Sequence, residues 1–309
     1  MKKNFLFLCT LIFLPFIQKS QYRWDFGGGL GVSNYLGDIG GNQNTRRDFV
    51  SDIKMAKTKF NLSGFARMNF YGNKKMFLKM EFNYLQIEGF DKLSSNPGRK
   101  YRNLDFRNNI FEFTTTVQYV LYQNLRMGSQ YRRPNQFRVY AFGGLGVFHH
   151  NPKGLYNGQW IELRPLMTEA QKKPYSKYGV CIPLGLGFSY TYKKRHRFSF
   201  EMNWRTTFTD YLDDISTTYA DPNALSSTRA QVMSNKTDVV DANAYQTGFS
   251  NNFLPGSKRG DASHNDSYLT ANFSYSFVLR GSSRNKVKRW WDYHKNTGNW
   301  IWRRGVGKF

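Results

Sequence analysis

Hydrophobic and polar side chains alternate with a period of two along most of the chain, a pattern typical of β-strands whose two faces differ. Six segments show it clearly: residues 60–70, 78–84, 111–121, 182–192, 197–205 and 269–279. Two glycine-rich segments, Trp24–Tyr35 and Phe137–His149, complete the set. The pattern predicts eight strands of roughly 11–15 residues, longer than the usual strand and long enough to cross a membrane at a tilt.

Alternation alone leaves open which face lines the interior of a barrel, so a soluble lipocalin-like barrel with an apolar interior is one alternative. The polar faces, however, carry charges of both signs in mid-strand, where they can pair across a narrow lumen. The candidates for this lumen network are Arg67, Lys79, Glu81, Glu112, Glu201 and Arg205. Because side chains just fill the interior of an eight-stranded barrel, we expect a plugged lumen.

The apolar faces carry aromatic residues near the predicted strand ends, where the interfacial girdles of membrane barrels lie. These residues are Tyr84, Tyr190, Tyr192, Trp204 and Tyr268. Together with the inverted polarity, they favour a membrane protein over the soluble alternative. The sequence therefore predicts an all-β fold, an OmpA-like eight-stranded antiparallel transmembrane β-barrel over residues 21–280.

The predicted connections alternate between short and long along the chain. The short set is Tyr71–Lys75, Lys193–His196 and the somewhat longer Tyr122–Gln136. The long set is Leu36–Thr58, Phe90–Phe106, His150–Lys177 and Phe208–Asp266. Outer-membrane barrels have short periplasmic turns and long outer loops. We therefore expect the long set outside the cell, residues 208–266 as the longest outer loop, and both chain ends in the periplasm.

The first twenty residues have the pattern of a secretory signal peptide. Lys2 and Lys3 precede an apolar run at Phe5–Ile17, which is too short to span a bilayer. A buried core helix is the alternative, and the lysine pair argues against it. Cleavage after Ser20 would leave Cys181 as the single cysteine, and a chain with one cysteine cannot form an intramolecular disulfide.

Composition restricts the class of protein further. The chain has 309 residues, with 45 Lys and Arg against 21 Asp and Glu, and a net charge of +24. Such a charge is typical of nucleic-acid binders, but the export signal argues against a nucleic-acid partner. A mean hydropathy of −0.63 argues against a helical membrane protein, and 17% aromatic residues argue against disorder. We therefore expect a location in the outer membrane, with membrane lipid as a partner.

The last segment, residues 281–309, is predicted to be a periplasmic tail rich in basic residues and tryptophan. Its candidate partner-docking residues are Arg284, Lys286, Lys288, Arg289, Trp290, Trp291, Trp300, Trp302, Arg303 and Arg304. In the periplasm this composition fits an acidic protein surface or anionic lipid. A solvated tail whose tryptophans rest at the membrane interface is the alternative to a docking role.

The sequence contains no motif for catalysis, cofactor binding or metal binding, so we predict a non-catalytic protein without a cofactor. The adjacent His149 and His150 suggest a metal site, but neighbouring strand residues point to opposite faces. Asp210, Asp213 and Asp214 form a short acidic run, which is weak evidence for calcium. A lipid-modifying barrel enzyme with a serine and a histidine near the rim remains a further alternative.

Four motifs taken together resemble one family. They are LGVSNYLGDIGG (Leu30–Gly41), AFGGLGVFHHNP (Ala141–Pro152), IELRPLMTEAQ (Ile161–Gln171) and FTDYLDDISTTY (Phe208–Tyr219). On these motifs the chain resembles the PorG-like outer-membrane barrels of the Bacteroidetes type IX secretion system. The family-motif loop residues are Asn34, Tyr35, Gly37, Asp38, Asp210, Tyr211, Asp213 and Asp214.

The resemblance implies a structural role in protein secretion and gliding motility. In that role the barrel anchors a periplasmic ring of PorK-like and PorN-like proteins to the outer membrane. The insert Ala220–His264 and the tail lie outside the family core. Because paralogues of such a barrel can leave the secretion system, a stand-alone OmpA-type structural or adhesive protein acting through its outer loops is the alternative.

Overall fold

The computed structural model of the protein describes residues 24–39, 58–70, 75–124, 136–193 and 195–279. The predicted signal peptide lies outside these ranges. So do the basic and tryptophan residues of the predicted periplasmic tail. The long loops after residue 90 are described throughout, whereas most of the loop between the first two strands is not.

The described residues form ten strands and three short α-helices. The strands are β1 (Trp24–Leu36), β2 (Lys59–Asn69), β3 (Met76–Phe90), β4 (Asp105–Gln123), β5 (Gln136–His149), β6 (Lys153–Tyr156), β7 (Gln159–Glu162), β8 (Tyr178–Tyr192), β9 (His196–Thr207) and β10 (Ser267–Leu279). The helices are α1 (Pro97–Arg102), α2 (Thr228–Ser234) and α3 (Val239–Tyr245). Within the described ranges, no helix is long and apolar enough to cross a membrane.

Eight of the strands close into a barrel in which every neighbouring pair is antiparallel. The sheet order is β3-β2-β1-β10-β9-β8-β5-β4, and β3 pairs with β4 to close it. The first and last strands are in register over their whole length, from Trp24 opposite Leu279 to Leu36 opposite Ser267. The predicted eight-stranded antiparallel barrel is therefore confirmed.

The two faces of the barrel wall are inverted relative to a soluble protein. Inward-facing Arg205 and Lys79 are 0% and 1% exposed, whereas outward-facing Phe60 and Leu30 are 86% and 68% exposed. Each large apolar side chain left in water forgoes about 1.5–3 kcal/mol of burial energy. A wall of such side chains is stable only against lipid, so the fold is a transmembrane barrel.

The height of the apolar band agrees with this conclusion. On β4, the exposed residues begin at Phe111 and end at Leu121 and Tyr122, where the strand has a β-bulge. At ~3.4 Å per residue and a tilt of roughly 40°, this run is about 26 Å tall, close to the apolar band of outer-membrane barrels. At the end with the long loops, β3 and β4 continue beyond the band, which is why β4 reaches 19 residues and exceeds the predicted strand length.

The prediction that Tyr268 belongs to the outward aromatic girdle is wrong. Tyr268 shares its face with Thr270, is 0% exposed, and donates its hydroxyl proton to Glu112 inside the barrel. The next residue, Leu269, is the one on the outward face. Because both residues are hydrophobic, hydrophobicity alone assigned Tyr268 to the wrong face of the strand. Phe65, which interrupted the alternation of its segment, is also buried in the lumen.

The long loops fold into a cap over one end of the barrel. A β6–β7 hairpin, which the sequence pattern did not predict, continues the line of β5 and pairs with β4 where Arg107 lies opposite Lys153. The insert Ala220–His264 contains α2 and α3 and packs around buried Tyr219 and Phe253. The cap and the barrel share one region of apolar packing, which places the candidate site at their junction.

Candidate functional site

The centre of the lumen is crossed by a polar network built on Glu201 of β9. Its carboxylate lies 2.7 Å from Lys79 Nζ, accepts the Tyr140 hydroxyl proton at 2.7 Å, and accepts Gln118 Nε2 at 3.1 Å. Arg67 Nη2 reaches the same carboxylate at 3.4 Å. Side chains from β2, β3, β4 and β5 thus converge on one buried anion of β9, and the network fills the lumen where a channel would run.

A second cluster lies nearer the cap. Arg205 Nε donates to Glu112 at 2.8 Å, and Tyr268 donates to the other oxygen of the same carboxylate. Arg205 also donates to Thr270 and lies over the Tyr268 ring, 5.6 Å from its centroid. A buried charge pair of this kind stabilises little in itself, but removal of one partner is costly because the other stays buried and unpaired.

All six residues of the sequence-predicted lumen network face the interior. Arg67, Lys79 and Glu81 join Glu201, since Lys79 Nζ also lies 2.9 Å from Glu81, while Glu112 pairs with Arg205.

Sequence reasoning missed other members of the lumen. At the end of the lumen away from the cap, Asp25 pairs with Arg197, and Arg197 and Arg138 lie over the ring of Phe77. The charges of Asp25 and Arg197 on polar faces were the available signal. No such signal exists for Tyr140, because the sequence of its glycine-rich strand does not show which residues share a face.

Above the polar lumen, an apolar plug closes the barrel mouth. It is formed by Tyr35, Ile39, Leu85, Ile87, Leu104, Phe106, Ile110, Phe148, Cys181, Leu212, Ile215 and Tyr268. Leu212 and Ile215 come from the FTDYLDDISTTY segment of the longest loop and are 0% and 1% exposed. This segment therefore folds back into the barrel as a stopper held by hydrophobic burial.

The stopper is fixed by Tyr35 and two buried carboxyl groups, Asp213 of the FTDYLDDISTTY segment and Asp266 next to β10. The Tyr35 hydroxyl lies 2.7 Å from Asp213 and 2.5 Å from Asp266. A phenol carries one proton, so it can donate to one carboxyl only, and the other contact needs a proton on the aspartate side. Burial, followed by the charge of Asp38, raises the pKa of Asp213 to about 7, and burial beside Asp213 raises the pKa of Asp266. Below about pH 7 the group therefore holds an extra proton, and it links β1, the stopper and the residue that precedes β10.

Arginine side chains tie the loops together above the stopper. Arg102 of α1 donates to Asp91 at 2.6 Å, to the Arg259 carbonyl at 2.6 Å and to the Asp38 carbonyl at 2.7 Å. Arg259 in turn lies 2.9 Å from Glu169, a residue of the IELRPLMTEAQ motif. Two buried guanidinium groups thus join all four long loops, because each satisfies groups from different loops.

Asp214 fixes the third long loop to the stopper. Its carboxylate accepts the Thr168 hydroxyl at 2.6 Å and the Tyr175 hydroxyl at 2.7 Å. Burial raises its pKa to about 6, opposed by the nearby Arg259 charge. The Tyr211 ring stacks on Tyr175 with ring centroids 4.7 Å apart.

The remaining motif residues also lie at this junction. Asn34 donates to Thr58 at 3.3 Å, and Asp210 is a buried residue of the stopper itself. Gly37 is packed so closely that a Cβ atom would lie 1.9 Å from the Tyr35 hydroxyl oxygen and 2.3 Å from Asp266 Oδ1. The eight family-motif loop residues are therefore parts of one structure, the seal between barrel and cap.

The residues considered for metal binding have other roles. In the described part of the chain, no group of three or more His, Cys, Asp or Glu side chains is arranged to hold a metal ion. Buried His150 lies between the rings of Phe148 and Tyr175, and desolvation lowers its pKa to about 4. His149 instead contacts the exposed ring of Tyr178.

Fold and site together define a transmembrane β-barrel with a side-chain-filled lumen and a sealed, capped mouth. The chain belongs to the family described as Domain of unknown function (DUF6089), whose model matches residues 2–238. No curated protein matches the chain significantly.

Solved barrel structures are similar at low identity. Ail of Yersinia pestis, solved in complex with the heparin analogue sucrose octasulfate, is 9% identical, with 84% of this chain and 100% of Ail covered and a TM-score of 0.37. The outer membrane protein OprG from Pseudomonas aeruginosa is 9% identical, with 84% and 97% covered and a TM-score of 0.35. Neisserial surface protein A is 8% identical, with 83% and 95% covered and a TM-score of 0.32.

Proposed function

We propose that the protein is a non-catalytic outer-membrane anchor that attaches a periplasmic ring complex of a type IX secretion or gliding machinery to the membrane. The observation that carries this proposal is the closed interior. Glu201 and Glu112 each bind side chains from opposite walls, and Leu212 and Ile215 fill the mouth above them. A barrel occupied in this way is suited to holding a position in the membrane and unsuited to passing a substrate.

The orientation follows from the loops in this proposal. The capped end faces outward and the short turns face the periplasm, as in other outer-membrane barrels. Lys75, Lys193 and Arg195 lie at these turns, and Leu279, the last residue of β10, lies at the same end of the barrel. A periplasmic partner with an acidic surface fits this face, and the resemblance to PorG-like proteins suggests PorK-like and PorN-like ring components as that partner.

The test is deletion of the gene, followed by complementation with either the full chain or a chain ending at Gly281. The proposal expects loss of secretion and release of the ring from the outer membrane on deletion. It expects restoration by the full chain and failure of the shortened chain. Correct insertion of the shortened barrel is checked by its heat-modifiable migration on gels. Unchanged secretion and ring attachment after deletion would exclude the anchoring role.

A second function is favoured by one specific observation, the rigid cap. Arg102 and Arg259 fasten four loops into one body, which is more order than a passive anchor needs on its outer side. A stand-alone structural or adhesive barrel would use that surface. Removing residues 220–257, which keeps Arg259 and the stopper, would abolish surface binding and leave secretion intact if this second function holds.

A further inference from the structure

A row of charges crosses the outward face of the barrel extension just above the apolar band. In the β3–β4 pairing Glu88 lies opposite Arg107, in the β4–β6 pairing Arg107 lies opposite Lys153, and across the β6–β7 hairpin Lys153 lies opposite Glu162. Two cations are thus direct cross-strand neighbours on one face. Like charges in this arrangement destabilise a sheet unless an anion compensates them.

The protein compensates only part of this charge within the described residues. Buried Glu88 pairs with Arg107 and also with Lys59, whose Nζ lies 2.7 Å from Glu88 Oε2. Lys153 has no carboxylate oxygen within 4.0 Å in the described part of the chain. Exposed Glu162 lies opposite Lys153 in the strand pairing but does not form an ion pair with it. Arg107 and Lys59 keep 33% and 32% of their side chains exposed. Within the described residues, Lys153 and the exposed part of Arg107 therefore offer donors to an external anion.

Aromatic rings surround this cationic row. Arg107 lies over the Trp160 ring, 4.3 Å from its centroid, and Phe90 meets Trp160 edge to face at 6.3 Å. Below the row, on the same outward face, Phe111 packs against Tyr84 at 5.0 Å. Arg107 is four residues beyond Phe111, which corresponds to about 10 Å along the membrane normal and to the polar headgroup layer for a long basic side chain.

We propose that Lys153 and Arg107, beside the Trp160 ring, bind the phosphate of an outer-leaflet lipid headgroup. A phosphate oxyanion accepts charge-assisted hydrogen bonds from arginine and lysine together. The acyl chains of the same lipid lie against Phe111 and Tyr84, where the wall is apolar. This inference rests on the proposed membrane placement, but it does not depend on the periplasmic anchoring role.

The test uses the full chain folded in phosphatidylcholine vesicles that contain either bisphosphorylated or dephosphorylated lipid A. After mild detergent extraction, native mass spectrometry measures the fraction of barrel that carries lipid A. We expect retention of the phosphorylated form, and a loss of about fivefold for K153Q, because one basic residue near a membrane surface contributes about that factor. K153R should keep the lipid, and K172Q, an exposed lysine of the same loop, is the matched control.

The experiment distinguishes failure of the phosphate site from failure of the proposed membrane placement. Heat-modifiable migration first establishes that each variant is folded and inserted. Failure of every variant to insert would contradict the membrane placement itself. An inserted barrel that retains both lipid forms equally, or an unchanged K153Q, would overturn the phosphate site. Release of bound lipid A by inorganic phosphate at an equal concentration would show that the site selects free phosphate, which also contradicts the proposal.

Discussion

The hydroxyl of Tyr35 on the first strand lies 2.7 Å from the carboxylate of Asp213, which stands 178 positions later in the stopper segment. This contact joins two motifs that are far apart in sequence and closes the barrel at its capped mouth. The same hydroxyl touches Asp266, so one phenol connects the barrel wall, the stopper and the start of the last strand.

Removal of that hydroxyl should loosen the stopper. In Y35F the ring keeps its packing against Phe106, while two buried carboxyl groups lose their shared partner. We expect a loss of about 1–3 kcal/mol in the free energy of unfolding. Urea denaturation of the folded barrel measures it, with Y84F on the lipid-facing surface as control. Equal urea midpoints for Y35F and Y84F would contradict this role.

The cap should be more stable in mild acid than at alkaline pH. The pKa of Asp213 is raised to about 7 and that of Asp214 to about 6 in the folded protein, from about 3.8 when unfolded. A carboxyl group with a raised folded-state pKa stabilises the protein at low pH, and this contribution is lost as pH rises to about 7. Hydrogen exchange of the stopper amides at pH 5 and pH 8, corrected for intrinsic rates, measures the difference.

A matched variant tests the cause of this pH dependence. D213N carries no titrating proton at this position, so the change in stability between pH 5 and pH 8 should shrink. Half-buried Asp261 has a pKa that hydrogen bonding to Ser263 lowers to about 2, so its contribution to stability is lost as pH falls, below the window from pH 5 to pH 8. D261N should therefore leave the dependence unchanged. If D213N kept the full pH dependence of stability, titration of groups other than Asp213 would be its cause.

Glu201 should be the most sensitive residue of the lumen. E201Q leaves Lys79 and Arg67 buried without their main anion, and breaking a buried pair in this way costs about 3–5 kcal/mol. Urea denaturation followed by gel migration of the folded form measures the loss. E162Q, at an exposed position on β7, is the control. An unchanged midpoint for E201Q would mean that water or another group already solvates the lumen cations.

Two glycines that differ in surroundings test the packing of the seal. G37A places a methyl group against the Tyr35 hydroxyl and Asp266, and overpacking of this kind costs about 1–3 kcal/mol. G64A adds the same group on the lipid-facing wall, where nothing lies within 4 Å. We expect G37A to increase proteolysis of the outer loops and G64A to leave it unchanged. Equal protease resistance would contradict the close packing of Gly37.

Period-two alternation was sufficient to predict the barrel because each strand separates two very different environments over its whole length. It failed at Tyr268, an aromatic residue next to an outward leucine, where hydrophobicity alone does not decide the face. It could not orient Tyr140, because neighbouring glycines carry no side chain that marks a face. The polar lumen residues were recognisable because charges in mid-strand need partners.

The cap could not be predicted from the sequence in the same way. Arg102 bonds a carbonyl group 157 positions away, and Arg259 bonds Glu169 at a separation of 90. No local period encodes such contacts, which depend on how four loops meet above the barrel. The motifs can be recognised in the sequence. Their common role as a seal depends on the contacts of Tyr35 with Asp213 and Asp266, which the sequence does not show.

The central claim, attachment of a periplasmic assembly, is tested most directly by cross-linking in native outer membranes. The full chain and a chain ending at Gly281 are purified after cross-linking, and their partners are identified by mass spectrometry. The account predicts that a periplasmic ring lipoprotein is recovered with the full chain and lost from the shortened one. Recovery of no periplasmic partner with the full chain, while the barrel is correctly inserted, would contradict it.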